Sequence, residues 1–541
     1  DFNFNNKGKA LYQFENLAFG DAFSGNKHTF LGRYATKNWM IWSNSSVMKS
    51  DSELSKSSFS RSQNRSSYKL GKNWIGATVN LEDNFEKLKA INTFSALSQR
   101  FLEYGAFVGR GDSTKVFVEL GFLQRQNDSL QFNRIERVNH SNSYYLKSQL
   151  IKTEKSNLSV FLNYRTLKYE YSSLKDEPSL NSRILYSDRY FGQLIQTTTA
   201  YETSSGTIAQ QEFTYLQVEP GQGVYMWNDY NGNGIQELQE FEIAPYSDLA
   251  IYVRVFLPNQ VFVRTHQNKF SLALNLNFNQ WQNETGFKKF VSHFYNQTSF
   301  LIDRKIKRNG ANFDLNPFSK EEDELIGLNT NFRNSLFFNR GKQHHSTTYS
   351  FLLNESQNLL SVGSLSAKNQ SHQLQYQHLV KKSWLLNFSG STTSTESTSE
   401  NYPNRNFEIK SYQIEPKIGY LFSKNASWDV FYEYQQKKNQ IGAFETLKQT
   451  RLGTSFTFNS EKGFSMNGEF SIYNNSYYGN ALSAVGFQML EGLQPGKNQT
   501  WRLLLQKNLT QYLDININYQ GRNSETSKTI HTGNIQLRAF F

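Results

Sequence analysis

Along most of the chain, apolar and polar residues alternate one by one. In the clearest stretch Phe270, Leu272, Leu274, Leu276 and Phe278 alternate with Ser271, Ala273, Asn275, Asn277 and Asn279. Successive side chains of a strand point to opposite faces, so this period predicts strands with one greasy and one amide-rich face. Leu513, Ile515, Ile517 and Tyr519 repeat it against Asp514, Asn516 and Asn518, as do Phe464, Met466, Phe470 and Ile472 against Ser465, Asn467, Glu469 and Ser471. Val116, Val118, Leu120 and Phe122, then Leu158, Val160, Leu162 and Tyr164, carry it through the first third. These segments run to roughly ten to fifteen residues, beyond the ~5–6 of a soluble sandwich strand. They match the ~9–11 residues that cross a bilayer on a tilt, plus an extension past it.

Short connections alternate with longer polar ones. Tight turns are expected near 36–38, 70–74, 110–114, 153–157, 203–207, 283–289, 340–343, 381–384, 423–426, 460–463 and 508–511. They divide the chain into hairpins that sum to about 24 strands, with 22–26 as the range, an even number as single-chain bacterial barrels have. The expected fold is therefore all-β: one transmembrane antiparallel up-and-down β-barrel over residues 1–541. Short turns would lie in the periplasm and long loops outside, the largest an insertion at about 220–267. The Ser/Thr run at 391–400 and the charged stretch at 303–327 read as external loop. The first strand, near 8–18, would close on the last, at 529–541.

Composition supports strands over disorder. The 541 residues include 30 Tyr and 44 Phe and are 37% hydrophobic, although the mean hydropathy is -0.64; alternation hides a membrane barrel from an average. No run approaches the ~18 apolar residues of a spanning helix. The absence of cysteine excludes a disulfide framework, a thiolate metal site and a cysteine nucleophile. A net charge of +12 is spread over 58 Lys and Arg with no basic run, so no nucleic-acid partner is expected. Residues 1–20 lack a basic segment followed by an apolar one, as in a mature protein or the trailing part of a longer chain.

One segment has metal-ligand spacing. Residues 229–240 match the ~12-residue calcium loop, with Asp229, Asn231 and Asn233 at alternate positions, Gly234 at the sharp bend, the Ile235 carbonyl next, then Glu237 and a closing Glu240. A hard cation wants six to eight oxygens, and a chain bent at Gly234 can bring alternate side chains to one point. AsnGlyAsnGly is also an ordinary turn sequence. Catalytic signals are weak. His140 and Ser141 are adjacent and so fall on opposite faces of a strand, while His344 and His345 sit in an expected periplasmic turn. No phosphate loop, zinc-protease or serine-hydrolase motif is present, so no enzyme is expected.

The last residues put Ile535, Leu537, Ala539 and Phe541 on one face, which resembles the terminal signal read by barrel-assembly machinery. Together with residues 223–237 (GlyValTyrMetTrpAsnAspTyrAsnGlyAsnGlyIleGlnGlu) and 490–501 (LeuGluGlyLeuGlnProGlyLysAsnGlnThrTrp), this ending resembles large outer-membrane proteins of Bacteroidota. The resemblance implies a cell outer-membrane location and a barrel that follows a longer periplasmic region. Two functions follow as expectations. One is a large transport or secretion channel gated by a partner or by loops, since so wide a lumen is usually plugged; a transporter of the TonB-dependent kind would be expected to draw its plug from a partner, an inserted loop or a preceding N-terminal portion. The other is a structural or assembly scaffold that presents a calcium-ordered surface loop. The expected partners are outer-membrane lipid and lipoprotein or periplasmic subunits.

Overall fold

The computed structural model describes residues 2–4, 7–20, 22–112, 114–170, 176–308, 310, 312–319, 325–341, 344–360, 363–460, 463–510 and 512–540. Phe541 and Lys462, at the chain end and in one expected turn, lie outside them.

The alternating segments fold as strands of a single sheet. Four are very short (Phe2–Phe4, Thr93–Phe94, Tyr225–Trp227 and Phe241–Ile243); the other twenty-four described strands run from ten to twenty-six residues. Each long strand pairs antiparallel with the next along the chain, from Gly8–Phe19 on Phe23–Ala35 to Leu513–Ser524 on Ile530–Ala539. At the first edge Phe2–Phe4 folds back on Gly8–Ala10. Among the described residues no ladder joins Gly8–Phe19 to Ile530–Ala539, and no helix is long and apolar enough to cross a membrane.

Following the registers across the sheet puts the apolar rows on one face, here called outer. Val108, Leu120, Tyr144, Ile418, Val430, Leu452, Ile472 and Leu537 all stand exposed on it. The opposite, inner face carries charge: Arg65 with Glu119, and Arg451 with Glu433 and Glu469. At the end that holds the turns 36–38 and 381–383, outer-face rings pair across strands, Trp39 with Tyr68 and Trp384 with Tyr420, each at 4.9 Å between centroids. A second tyrosine row, with Tyr412 and Tyr434, lies roughly 26 Å further along the strand at ~3.3 Å per residue. At a tilt of ~35–45° that spacing spans about 20 Å across the membrane, most of the ~25 Å apolar band of an outer-membrane barrel.

Several expected boundaries move. The turn expected at 203–207 is mid-strand: Ser204, Ser205 and Gly206 pair with Gln267, His266 and Thr265 inside the hairpin Ile195–Gln217/Tyr252–Asn277. The chain turns instead around Phe191–Gln193, where Phe191, Gly192 and Gln193 all have positive φ. Ser and Gly make a turn only where the ladder ends, and here a long partner strand continues it. Within the insertion expected at about 220–267, only 218–251 is irregular, since residues from Tyr252 onward are strand. Residues 391–399 are likewise strand, within Trp384–Ser399, because Thr fits a pleated surface well. Strand also claims both ends of 303–327, up to Lys307 and from Leu325. His345 starts a strand rather than sitting in a turn.

Candidate functional site

The hairpin of Ile195–Gln217 and Tyr252–Asn277 outgrows its neighbours. Its first strand pairs with Glu177–Tyr190 only as far as Thr203, and its second pairs with Phe294–Lys307 only back to Thr265. Beyond those points the ladder runs chiefly between these two strands, with a register shift between Gln211 and Phe213, and Tyr225 of the tip adds a pairing to Tyr252. An arm of this kind needs its own core, and aromatic residues supply it. Tyr215 stacks on Phe241 at 4.0 Å, Phe241 meets Tyr252 edge-on at 5.0 Å, and Arg254 lies over Phe213 and Phe256.

The tip, residues 218–251, crosses to distant inner-face residues. Arg522 donates to both oxygens of Asp248 at 2.6 and 2.7 Å, its guanidinium lies 4.1 Å over the Tyr246 ring, and Gln520 donates to Ser247 at 2.9 Å. Arg522 belongs to the strand Leu513–Ser524, eleven strands along from Tyr252–Asn277. In a flat sheet roughly 50 Å of wall would separate them, at ~4.8 Å per strand, so the sheet must curl for the contact to form. A second anchor lies between these two. Arg405 pairs with Glu242 and donates to the Gln239 carbonyl.

The loop after Phe464–Tyr478 folds inward beneath the tip. Its short helix Ala484–Leu490 starts with Ser483 accepting from Gly486 N–H at 3.0 Å, the usual side-chain cap. Val485, Met489 and Leu490 bury against Ile409 and Leu447 of the inner face. Lys437 fastens the far end, donating to the Met489 carbonyl and pairing with Glu491. Gly492 touches Pro245 and Tyr246, and with φ +80° any Cβ there would lie 2.5 Å from Pro245 Cγ. The two segments that carried the family resemblance line one cavity, Trp227 and Asp229 from the first and Leu490 and Leu493 from the second. Cavities of ≈320 and ≈340 Å³ remain between the layers, the first beside Arg254, Glu242 and Arg405, the second beside Trp227, Asp229 and Phe487.

Charge in this closure is tuned by burial. Hydrogen bonding to Arg522 holds Asp248 below the usual carboxylate range. Burial pushes Glu242 upward against the pull of Arg405, and also raises the Tyr230 phenol, with Glu242 adding to the effect.

The calcium-type loop lies within this tip. Asp229 Oδ1 accepts from Gly232 and Asn233 N–H and its Oδ2 from Gly234 N–H; Asn231 accepts from Asn233 N–H, and Asn233 from Ile235 N–H. Positive φ at Gly232 and Gly234 lets the chain wind this tightly. Glu237 is held by Asn231 and Gln239. Glu240 is only 1% exposed and accepts from the Trp227 indole at 2.8 Å and Tyr230 N–H at 3.2 Å. Asp229, Asn231 and Asn233 are thus gathered round one turn, while Glu240 braces the layer beneath. Among the described residues no group of three or more His, Cys, Asp or Glu is arranged to hold a metal ion. The donor set itself, hard oxygens on a glycine-bent loop, is of the calcium kind.

Elsewhere, His140 bonds Glu170 while Ser141 is buried on the other face, so the pair forms no dyad. The anchors Arg405, Arg522, Glu242 and Asp248 escaped the sequence reading because each partner lies more than 160 residues away.

No protein-family model matches the chain, and no curated protein matches it. Solved structures that it resembles include the ferric preacinetobactin receptor BauA from Acinetobacter baumannii, at 9% identity and a TM-score of 0.34, over 98% of this chain and 79% of that one. Others are the ferric-catecholate import receptor Fiu from E. coli K12 in its closed form (10%, 0.28, 95% and 77%) and the copper transporter OprC (9%, 0.31, 98% and 81%).

Proposed function

We propose that the chain is an outer-membrane β-barrel of twenty-four strands, closed between Gly8–Phe19 and Ile530–Ala539, that acts as a large transport or secretion channel gated by its own inward-folded loops. The exposed apolar rows and the two aromatic rows support the membrane reading. Support for gating comes from one observation above the others, the tip 218–251 reaching across to Arg522. A lumen this wide is not filled by wall side chains, and the tip with the helix Ala484–Leu490 lies where solute would pass. Calcium, in this reading, is held by Asp229, Asn231, Asn233, Glu237, Glu240 and the Ile235 carbonyl and stiffens the tip. The exposed turn 231–236 also suits display to a partner subunit, which favours the scaffold reading as a second role.

Conductance across planar bilayers tests the channel. The intact chain should be mostly closed, and a chain with residues 220–250 replaced by a short Gly/Ser linker should conduct steadily. If both are silent although each runs as a heat-resistant folded barrel, the channel reading fails and the scaffold reading stands.

A further inference from the structure

At the end of the inner face that holds the turns 36–38 and 71–72, far from the loop closure, neighbouring strands build a second site. Three glycines make its floor. A Cβ on Gly76 would sit 2.2 Å from the Phe107 ring, one on Gly109 2.2 Å from Trp74, and one on Gly121 2.2 Å from Tyr145. The rings therefore lie flat where side chains would otherwise stand. Glu119, 6% exposed, locks them: it accepts from Arg65 at 2.8 Å on each oxygen, from the Trp74 indole at 3.0 Å and from the Tyr145 hydroxyl at 3.2 Å. The Arg65 guanidinium lies 3.7 Å over Phe107.

Above this floor is a cavity of ≈400 Å³, walled also by Lys37, Lys69, Lys147 and Phe117. Lys147 stands directly opposite Glu119 in the ladder, yet that carboxylate is already taken by Arg65. Asp112, the acid near Lys69, is turned to the Thr114 N–H and hydroxyl. A network serving only to stabilise the wall would need one cation for Glu119. This cavity has three more, facing a preformed aromatic surface.

We propose that it binds a small organic anion, a flat apolar ring system bearing a carboxylate. The ring would lie on Trp74 and Phe117, with Phe107 buried beneath Arg65 as support, and the carboxylate would take charge-assisted hydrogen bonds from Lys69 and Lys147. The volume falls within the ~300–1,000 Å³ of small-molecule sites, which pair apolar walls with a few placed polar groups. Electrostatics draws the ligand in, because Lys72, Lys155, Lys381, Lys382 and Lys424 stand exposed on turns at the same end.

Calorimetric titration of the full chain in detergent tests this, with 2-naphthoate as probe, 2-naphthamide as its uncharged twin and inorganic phosphate as charge without a ring. One saturable site for 2-naphthoate is expected, with both controls at least about tenfold weaker. Lys69→Gln and Lys147→Gln should each weaken 2-naphthoate about tenfold, the scale of a lost charged hydrogen bond, whereas Lys147→Arg should retain it. Equal binding of the amide would mean partition into micelles, and equal binding of phosphate would mean a basic rim with no organic preference. Either result, the absence of saturable binding, or undiminished binding in folded Lys69→Gln/Lys147→Gln overturns the proposal.

Discussion

Arg522→Ala removes the anchor that ties the tip of the long hairpin to the far wall. The side chains of Arg522 and Asp248 are 17% and 23% exposed, so solvent screens the pair only in part. A hydrogen bond to a charged group contributes about 1.5–3 kcal/mol net, and a cation over a ring about 0.5–1 kcal/mol at partly exposed sites. About 2–3 kcal/mol for the whole contact is a conservative total, because Arg405 and Glu242 still hold the tip from the side. That shifts the ratio of closed to open states about 30- to 150-fold. Single-channel recording should show the fraction of open time rising by such a factor until it saturates. Arg522→Lys should fall between, since an ammonium keeps the charge but not the two-pronged geometry. An unchanged open fraction in folded Arg522→Ala would refute the idea that this contact holds a gate.

The same pair sets a pH dependence. Arg522 keeps Asp248 below its unfolded value, so its contribution is complete above the ordinary carboxylate range of about 4 and is lost as pH falls through the folded value. Channels should stay closed near neutrality and open in acid, with Arg522→Ala abolishing the acid limb. Glu242, raised by burial, has the opposite sign, so it cannot be the source of acid opening. If the proposed calcium reading holds, chelator should speed proteolysis between about 220 and 250 while the rest of the sheet stays folded. Asp229→Ala should reproduce this with calcium present. Glu240→Gln separates ligation from packing, because the amide oxygen can still accept from Trp227; protection of that variant by calcium equal to wild type would argue against Glu240 as a ligand.

The sequence by itself determined the strands and their faces. A period of two is a local property of the backbone, so rows such as Phe270 to Leu276 and Ile515 to Tyr519 were legible without tertiary knowledge. Most short turns were legible for a similar reason, since Gly, Asn and Lys cluster where ladders end. The error at 203–207 marks the limit: Ser205 and Gly206 look like a turn, and only their partners His266 and Thr265 across the hairpin make them strand. The spacing of candidate calcium ligands from Asp229 to Glu240 could be read along the chain, but the burial of Glu240 under Trp227 could not. Only the tertiary structure decided what lies inside the curled sheet. Arg522 meets Asp248, and Arg65 meets Glu119, because curling and strand registry bring distant residues to one point. Lysines scattered along the sequence become a charged rim for the same reason: every second turn of an up-and-down sheet returns to the same end.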